Sequence, residues 1–342
     1  MILLSSDRFS HHLTPPGHPE RPERADALRR VARAWAAAGH SLVEPTMADE
    51  SALSRVHDRD YLAAIGNTAG LAVRLDPDTS TSPESYDVAR LAAGAVVDGV
   101  RHVLQAPDVA AFALVRPPGH HAERGRAMGF CLFNSVAVAA AWARAEGLAR
   151  VAIVDFDVHH GNGTQAIFDD DPSVLFVSSH QHPYYPGTGA ATEVGSGAGA
   201  GFSVNLPLEA GAGDADLDEV FRVVAVPVLE AFAPQLVLVS AGFDGHASDP
   251  LGGFRMTPEG FANLARLIEG VARRHAGGRR VYVTEGGYDI EGLTASLNAV
   301  LHVAAGGDAG EAGDAMVVGD RARGRASATA TRAALAPYWP GL

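Results

Sequence analysis

Short runs of nearly continuous apolar residues alternate along the chain with longer stretches whose apolar positions recur every three or four residues. Val151-Ala152-Ile153-Val154 and Leu236-Val237-Leu238-Val239 contain no polar member. Such runs fit strands buried on both faces, as in a parallel sheet. The pattern predicts strands over 109–115, 150–156, 173–178, 201–206, 235–240 and 280–284. It predicts helices over 21–38, 83–105, 133–146, 214–232, 258–275 and 292–303. Pro83 and Pro258 fall near two helix starts, where a missing N–H is tolerated. The βαβ alternation predicts one open, mostly parallel sheet covered by helices. There is no internal repeat. Residues 195–201 (GSGAGAG) read as a short flexible loop and 306–313 as a polar, Gly-rich turn region. Neither has the character of an interdomain linker.

In sheets of this kind, binding and catalytic groups collect in the loops after the C-terminal ends of strands. Five strand ends here run into polar clusters, at 116–123, 155–162, 178–189, 241–249 and 285–289. Their coincidence points to one shared active site.

Composition narrows the class without changing the fold. The chain has 342 residues, 47% hydrophobic and 20% charged, which suits a globular α/β protein and excludes a disordered tail, a fibrous repeat or a small disulfide scaffold. One domain over 1–342 is expected, with a motif-bearing part at about 15–305 and a C-terminal extension at about 306–342. The formal net charge is −13, and all 27 basic residues are arginine. That balance argues against a nucleic-acid partner, which needs clustered basic residues. It is compatible with a cationic substrate, and equally with plain solubility. Cys131 is the only cysteine, so no internal disulfide forms. Residues 1–6 lack the basic start of a secretory signal, and no stretch approaches the roughly 18 apolar residues of a membrane span. A cytoplasmic location, no membrane partner, and possible homo-oligomers are the expectation.

The strongest chemistry lies in Asp155-Phe156-Asp157-Val158-His159. Side chains two apart on an extended chain point the same way, so two carboxylates and an imidazole share one side after a buried strand. Such a group is costly without a counter-charge and suits a divalent metal better than a charged helix cap. A third ligand is needed. Asp244 follows the strand at 235–240 and would reach the same crevice if the strands are neighbours; taken alone it fits a loop or N-cap residue equally well. His246 and Asp249 read as local loop hydrogen-bonders. Arg116-Pro117-Pro118-Gly119-His120-His121 is a rigid turn presenting two adjacent imidazoles, which titrate near neutrality and can exchange a proton with water. Glu285-Gly286-Gly287-Tyr288 permits close backbone approach and could aim a phenol at a developing oxyanion, or simply pack a tyrosine in a loop. Phe130 and the pair Tyr184-Tyr185 flank the same loops as channel walls or as ordinary packing.

With these residues assembled, the chain resembles the zinc-dependent histone deacetylase superfamily, nearest its class II-like and bacterial amidohydrolase members, which are related to acetylpolyamine amidohydrolases. The matching motifs are HPERPER (18–24), RPPGHHAE (116–123), GFCLFNSVAVAA (129–140), VDFDVHHGNGTQ (154–165), YPGTG (185–189), LVLVSAGFD (236–244), DPLGG (249–253) and EGGYD (285–289). The resemblance implies an arginase/deacetylase fold with a central, mostly parallel eight-stranded sheet between helices. It implies a single catalytic Zn2+ held by Asp157, His159 and Asp244, with His120, His121 and Tyr288 catalytic. Asp155 and Asn162 would orient the two histidines. Gly129, Phe130, Tyr185 and Leu251 would line the substrate channel. A structural K+ would sit among Asp155, Asp157, His159, Ser178 and Ser179. The implied reaction is hydrolysis of an N-acyl amide, with His121 as general base, His120 electrostatic, and acetyl-lysine or an acetylated polyamine as substrate.

Three departures from the family's patterns carry weight. Asn162 stands where class I members have Asp, as in class II-like members. Tyr288 is kept where weakly active class IIa members have His. Leu251 stands where polyamine-selective relatives can carry a gatekeeping Glu, which weakens strict polyamine specificity. A dimetal ureohydrolase would need more metal-binding carboxylates and histidines than these loops offer. A non-catalytic acyl-amine binding module would have no use for Tyr288 and both histidines.

Overall fold

A computed structural model describes residues 1–106, 108–307, 317 and 319–342. The strands are β1 (Ile2–Leu4), β2 (Ser41–Val43), β3 (Ala111–Ala113), β4 (Val151–Asp155), β5 (Val174–Gln181), β6 (Ser203–Leu208), β7 (Leu236–Ala241) and β8 (Arg280–Thr284). They form one eight-stranded sheet in the order β2-β1-β3-β8-β7-β4-β5-β6. Every pairing is parallel. The helices are α1 (Pro22–Ala37), α2 (Glu50–Leu53), α3 (Arg59–Gly66), α4 (Ser85–Gln105), α5 (Ser135–Ala145), α6 (Asn162–Phe168), α7 (Asp214–Val220), α8 (Val226–Phe232), α9 (Pro258–His275), α10 (Ile290–Ala304) and α11 (Ala322–Leu335). None is long and apolar enough to cross a membrane, among the described residues.

Helices cover both faces, and the central strands show why their sequence is unbroken apolar. Ala152 and Val154 of β4, with Val237 and Val239 of β7, join the core on one face. Val151 and Ile153, with Leu236 and Leu238, join the core on the other. Both sides are dry, so neither parity can be polar.

All six predicted strands are present, but the sheet is wider than the pattern shows. The first two strands are three residues each, too short to carry a periodicity. The strand expected over 109–115 shrinks to Ala111–Ala113, and that expected over 201–206 shifts to Ser203–Leu208. Pro207 is tolerated there because β6 is an edge strand. The helix expected over 214–232 is interrupted by a π turn at Phe221–Ala225, one residue short of Pro227. A proline removes a helical donor and crowds the carbonyl four residues back, and a wider turn relieves both. Four helices were not foreseen from the pattern: α2, α3, α6 and α11.

The last of these lies in the expected C-terminal extension and covers the edge strand. Thr331 Oγ1 donates to the carbonyl of Asn205 (2.7 Å) and Gly324 N to Asp216 Oδ1 (2.8 Å). Of the Gly-rich turn region expected over 306–313, residues 308–313 lie outside the described residues.

The consequence for chemistry is geometric. Asp155 is in register with Ser178 on one side and Ser240 on the other, so β4 and β7 end within one residue of each other while β5 runs on to Gln181. The loops after β3, β4, β5, β7 and β8 therefore meet above the sheet. Leu238, fully buried at the sheet centre, tests this scaffold. Leu238→Ala should lower the unfolding free energy by about 2–5 kcal/mol in a urea titration, against at most about 0.5 kcal/mol for Leu13→Ala, which is 55% exposed.

Candidate active site

The strand β4 ends at Asp155, and the chain then turns through Phe156-Asp157-Val158-His159. Asp157 and Asp244 are completely buried, and His159 nearly so. His159 Nδ1 lies 3.1 Å from Asp157 Oδ1 and 3.1 Å from Asp244 Oδ2. One ligand atom from each of the three residues falls within 4.8 Å of the others. The remaining carboxylate oxygens are tied to main chain: Asp157 Oδ2 accepts from Gly286 N (2.8 Å) and Asp244 Oδ1 from Val158 N (2.9 Å). Glycine makes this closeness possible. A Cβ on Gly242 would lie 2.0 Å from Asp157 Oδ2, and one on Gly286 would lie 1.9 Å from Asp244 Oδ2.

Electrostatics asks for a cation at this point. Burial, then the charge of Asp157, push the Asp244 carboxyl up to about 7. Burial alone would lower the His159 imidazole, but Asp157 and Asp244 together raise it well above its ordinary range. Two carboxylates and an imidazole in this arrangement are an oxygen–oxygen–nitrogen donor set for a divalent ion. The residues fit a metal.

Beside them stand His120 and His121, with ring centroids 4.0 Å apart. Each uses Nδ1 for orientation: His120 with Asp155 Oδ2 (2.9 Å), His121 with Asn162 Oδ1 (2.8 Å). Asn162 Nδ2 in turn donates to Glu123 Oε1 (2.9 Å), which settles its amide with the oxygen toward His121. The two rings differ in charge environment. Burial opposes protonation of His120, but Asp155 and Asp157 outweigh it and hold the imidazole up to about 10. Burial, then the neighbouring His120 charge, push His121 well below its ordinary range. Asn162 brings no charge to reverse that. Small residues set the placing, since a Cβ on Gly129 would strike the His121 ring at 2.3 Å.

Tyr288 reaches the same place from the loop after β8. Its backbone N–H donates to Asp249 Oδ2 (2.6 Å), and the fully buried guanidinium of Arg24 lies 4.8 Å above its ring. Asp249 is the loop hydrogen-bonder the sequence suggests, but it also takes Asp289 N (3.1 Å), so it anchors the loop that carries Tyr288. His246 does bond locally, to Ser248 Oγ at 2.8 Å.

These groups open onto a cavity of about 210 Å³ lined by Asp78, His121, Gly129, Phe130, His159, Tyr184, Tyr185, Leu251 and Tyr288. All four channel residues expected from the motifs are among them. Phe130 is held at φ 68°, a left-handed conformation that costs a β-carbon-bearing residue about 1–2 kcal/mol. Its N–H donates to Thr79 Oγ1 (3.0 Å) and its ring meets Tyr288 edge-on at 5.8 Å. Asp78 was missed by sequence reasoning. It sits in an Asp-Pro-Asp turn far from any motif, and burial followed by the Asp78 charge raises the Tyr185 phenol. Ser178 and Ser179 lie on β5 beside Asp155, and Ser179 Oγ is buried without a hydrogen-bond partner.

Comparison with known proteins agrees with this geometry. The model of the histone deacetylase domain matches residues 18–304. The chain belongs to the histone deacetylase family. Histone deacetylase 15 of Arabidopsis thaliana is 43% identical over 300 residues, 84% of this chain and 53% of that protein, so the chain spans about half of that relative's length. A histone deacetylase-like amidohydrolase of Pseudomonas aeruginosa is 41% identical over 279 residues, 80% of this chain and 73% of that one. The crystal structure of the HDA15 HD domain superposes with a TM-score of 0.89 at 37% identity, covering 99% of this chain and 95% of that one. Membership of this deacetylase and amidohydrolase family places the protein among enzymes that hydrolyse amides.

The geometry makes metal binding by these residues testable without any substrate. Asp244→Ala should leave the fold intact, by circular dichroism, while divalent-metal content falls from one ion per chain to well below 0.1 on elemental analysis, roughly the tenfold or greater loss expected for a deleted ligand.

Proposed function

We propose that the protein is a zinc-dependent deacylase that removes acetyl, or another short acyl group, from acetyl-lysine or a related N-acetylamine. One observation supports this above the others: the buried Asp157–His159–Asp244 group reaches, through His159, the cavity that His121 and Tyr288 also line. Asp157, His159 and Asp244 would hold the ion. Zinc bound there would supply Lewis acidity toward the acyl carbonyl and the attacking water.

The chain's own residues do the rest. His121, kept neutral by its surroundings, takes the proton of the attacking water through Nε2, its Nδ1 being held by Asn162. As the carbon–nitrogen bond breaks, the same imidazole returns that proton to the leaving amine. His120, which the Asp155 and Asp157 charges favour as imidazolium, stays charged and steadies the developing negative charge. Tyr288 donates its phenolic hydrogen bond to the oxyanion, and burial keeps that proton on at neutral pH. Phe130 and Tyr185 wall the acylated side chain, excluding water from the reacting amide.

The orphaned Ser179 Oγ supports a further reading, a K+ bound beside Asp155, Asp157, His159, Ser178 and Ser179. The acidic chain suits cationic targets of both kinds, acyl-lysine polypeptides and acetylated polyamines. A panel of acyl-lysine peptides and acetylpolyamines, with and without chelator, decides between them. Hydrolysis that chelator abolishes and Zn2+ restores is expected; turnover unaffected by chelator contradicts the proposal.

Two variants separate the roles. Tyr288→Phe should lower kcat by about 10²–10³-fold with the zinc complement unchanged; near-normal turnover removes Tyr288 from the reaction. Asn162→Asp should move the acidic limb of the kcat/KM profile upward. A carboxylate on Nδ1 favours imidazolium, so the neutral base form of His121 appears only at higher pH, by about 1–3 units. An unmoved limb assigns the base elsewhere.

A further inference from the structure

Glu285 is a fully buried carboxylate directly after β8, between the two loops that carry the proposed catalytic groups. Its Oε2 accepts from the backbone N–H of Gly119 (2.6 Å) and of His120 (3.1 Å). Its Oε1 accepts from Ser240 Oγ (3.1 Å) on β7. Its own carbonyl accepts from Arg24 Nη2 (2.6 Å), and the Gly287 carbonyl accepts from Arg24 Nε (2.6 Å). One residue thus ties the histidine loop, through its side chain, to the tyrosine loop, through its main chain.

The need for it follows from the turn it holds. Pro117 and Pro118 have no N–H, so Gly119 and His120 are the first residues of this turn with donors to satisfy. The turn is packed too tightly to relax toward other acceptors: a Cβ on Gly119 would lie 2.7 Å from Ser135 N. On the far side, a Cβ on Gly163 would lie 2.7 Å from the His121 carbonyl carbon. The main chain of the pair is therefore fixed by an acceptor on one side and by contact on the other. Side-chain orientation is a separate matter, left to Asp155 and Asn162.

We propose that Glu285 is a positioning residue for the histidine pair, acting as a hydrogen-bond acceptor for the Gly119 and His120 amides and so setting where both imidazoles stand over the metal-binding group. The inference rests on the reading of His120 and His121 as catalytic. What it requires of Glu285 is the place of an oxygen atom, more than its charge.

Two variants divide those properties. Glu285→Gln keeps an oxygen where Oε2 stands and loses the charge. Glu285→Asp keeps the charge and withdraws the oxygens by about one carbon–carbon bond, roughly 1.5 Å. The Asp variant should lose about 100-fold in kcat with KM changed less than about threefold and one zinc per chain retained, whereas the Gln variant should stay within about threefold of wild type in both. Amide hydrogen exchange at Gly119 and His120 should quicken in the Asp variant and not in the Gln variant, a readout that needs no substrate. A Gln variant as slow as the Asp variant, an Asp variant with wild-type kcat, or a loss carried by KM overturns the inference. An inactive wild-type enzyme is a different failure, since it strikes the proposed function while the exchange data still report on the anchor.

Discussion

Two carboxylates buried side by side repel each other and have lost their water, and only a positive charge between them makes the arrangement cheap. Asp157 and Asp244 are in that position. Among the described residues no arginine pairs with either; their charged partners are imidazoles, His159 with both and His120 with Asp157. The chain nevertheless gives up space for them, with glycine at 242 and 286 where any side chain would collide with a carboxylate oxygen. A site so shaped, rich in oxygen and nitrogen donors and without an arginine, suits a divalent ion, and the surrounding strands position its donors. Adjacent parallel strands, β4 and β7, end in register and deliver the two carboxylates; β8, on the far side of β7, delivers Gly286 and Tyr288.

Charge is handled differently a few ångströms away. Glu20, Arg24 and Arg116 are all completely buried and pair through one oxygen: Glu20 Oε1 accepts from Arg24 (3.0 Å) and from Arg116 (2.5 Å), while the other arginine donors go largely to main-chain carbonyls. Here the protein supplies both signs, and the result is a brace between α1, the turn before His120 and the loop before Tyr288. The two histidines lie between these regimes. His120 faces two carboxylates that hold its imidazole up, whereas burial and the His120 charge push His121 down with only a neutral amide at its Nδ1, so chemically identical side chains are shifted in opposite directions. In the proposed reaction that asymmetry gives His120 the electrostatic role and His121 that of the base.

Much of this was legible in the sequence because the chemistry sits where strands end. The apolar runs of β4 and β7 located the sheet centre, and the polar residues directly after them located the site. The two-residue period pointed to Asp157 and His159 as neighbours, although β4 ends at Asp155 and the two residues lie in the bend that follows it. Asp244 could not be placed with them that way, because its contact with them depends on β7 lying beside β4, a neighbour relation that no local pattern carries. The same limit hid Asp78, which reaches the cavity from a loop between α3 and α4, and the Gly119 and His120 partners of Glu285, which lie more than 160 residues away. β1 and β2 were invisible for a different reason: three residues do not make a period. The π turn and α11 depend on how Pro227 is accommodated and on an edge strand that needs covering, both matters of tertiary packing.

The proposed chemistry depends on a single mixed oxygen and nitrogen site for one ion. X-ray absorption on the zinc-loaded protein examines that site most directly. It should report a shell of light atoms only, with the outer-shell signature of one imidazole per zinc. A sulfur neighbour from Cys131, or the signature of two or more imidazoles, would place the metal elsewhere and contradict it.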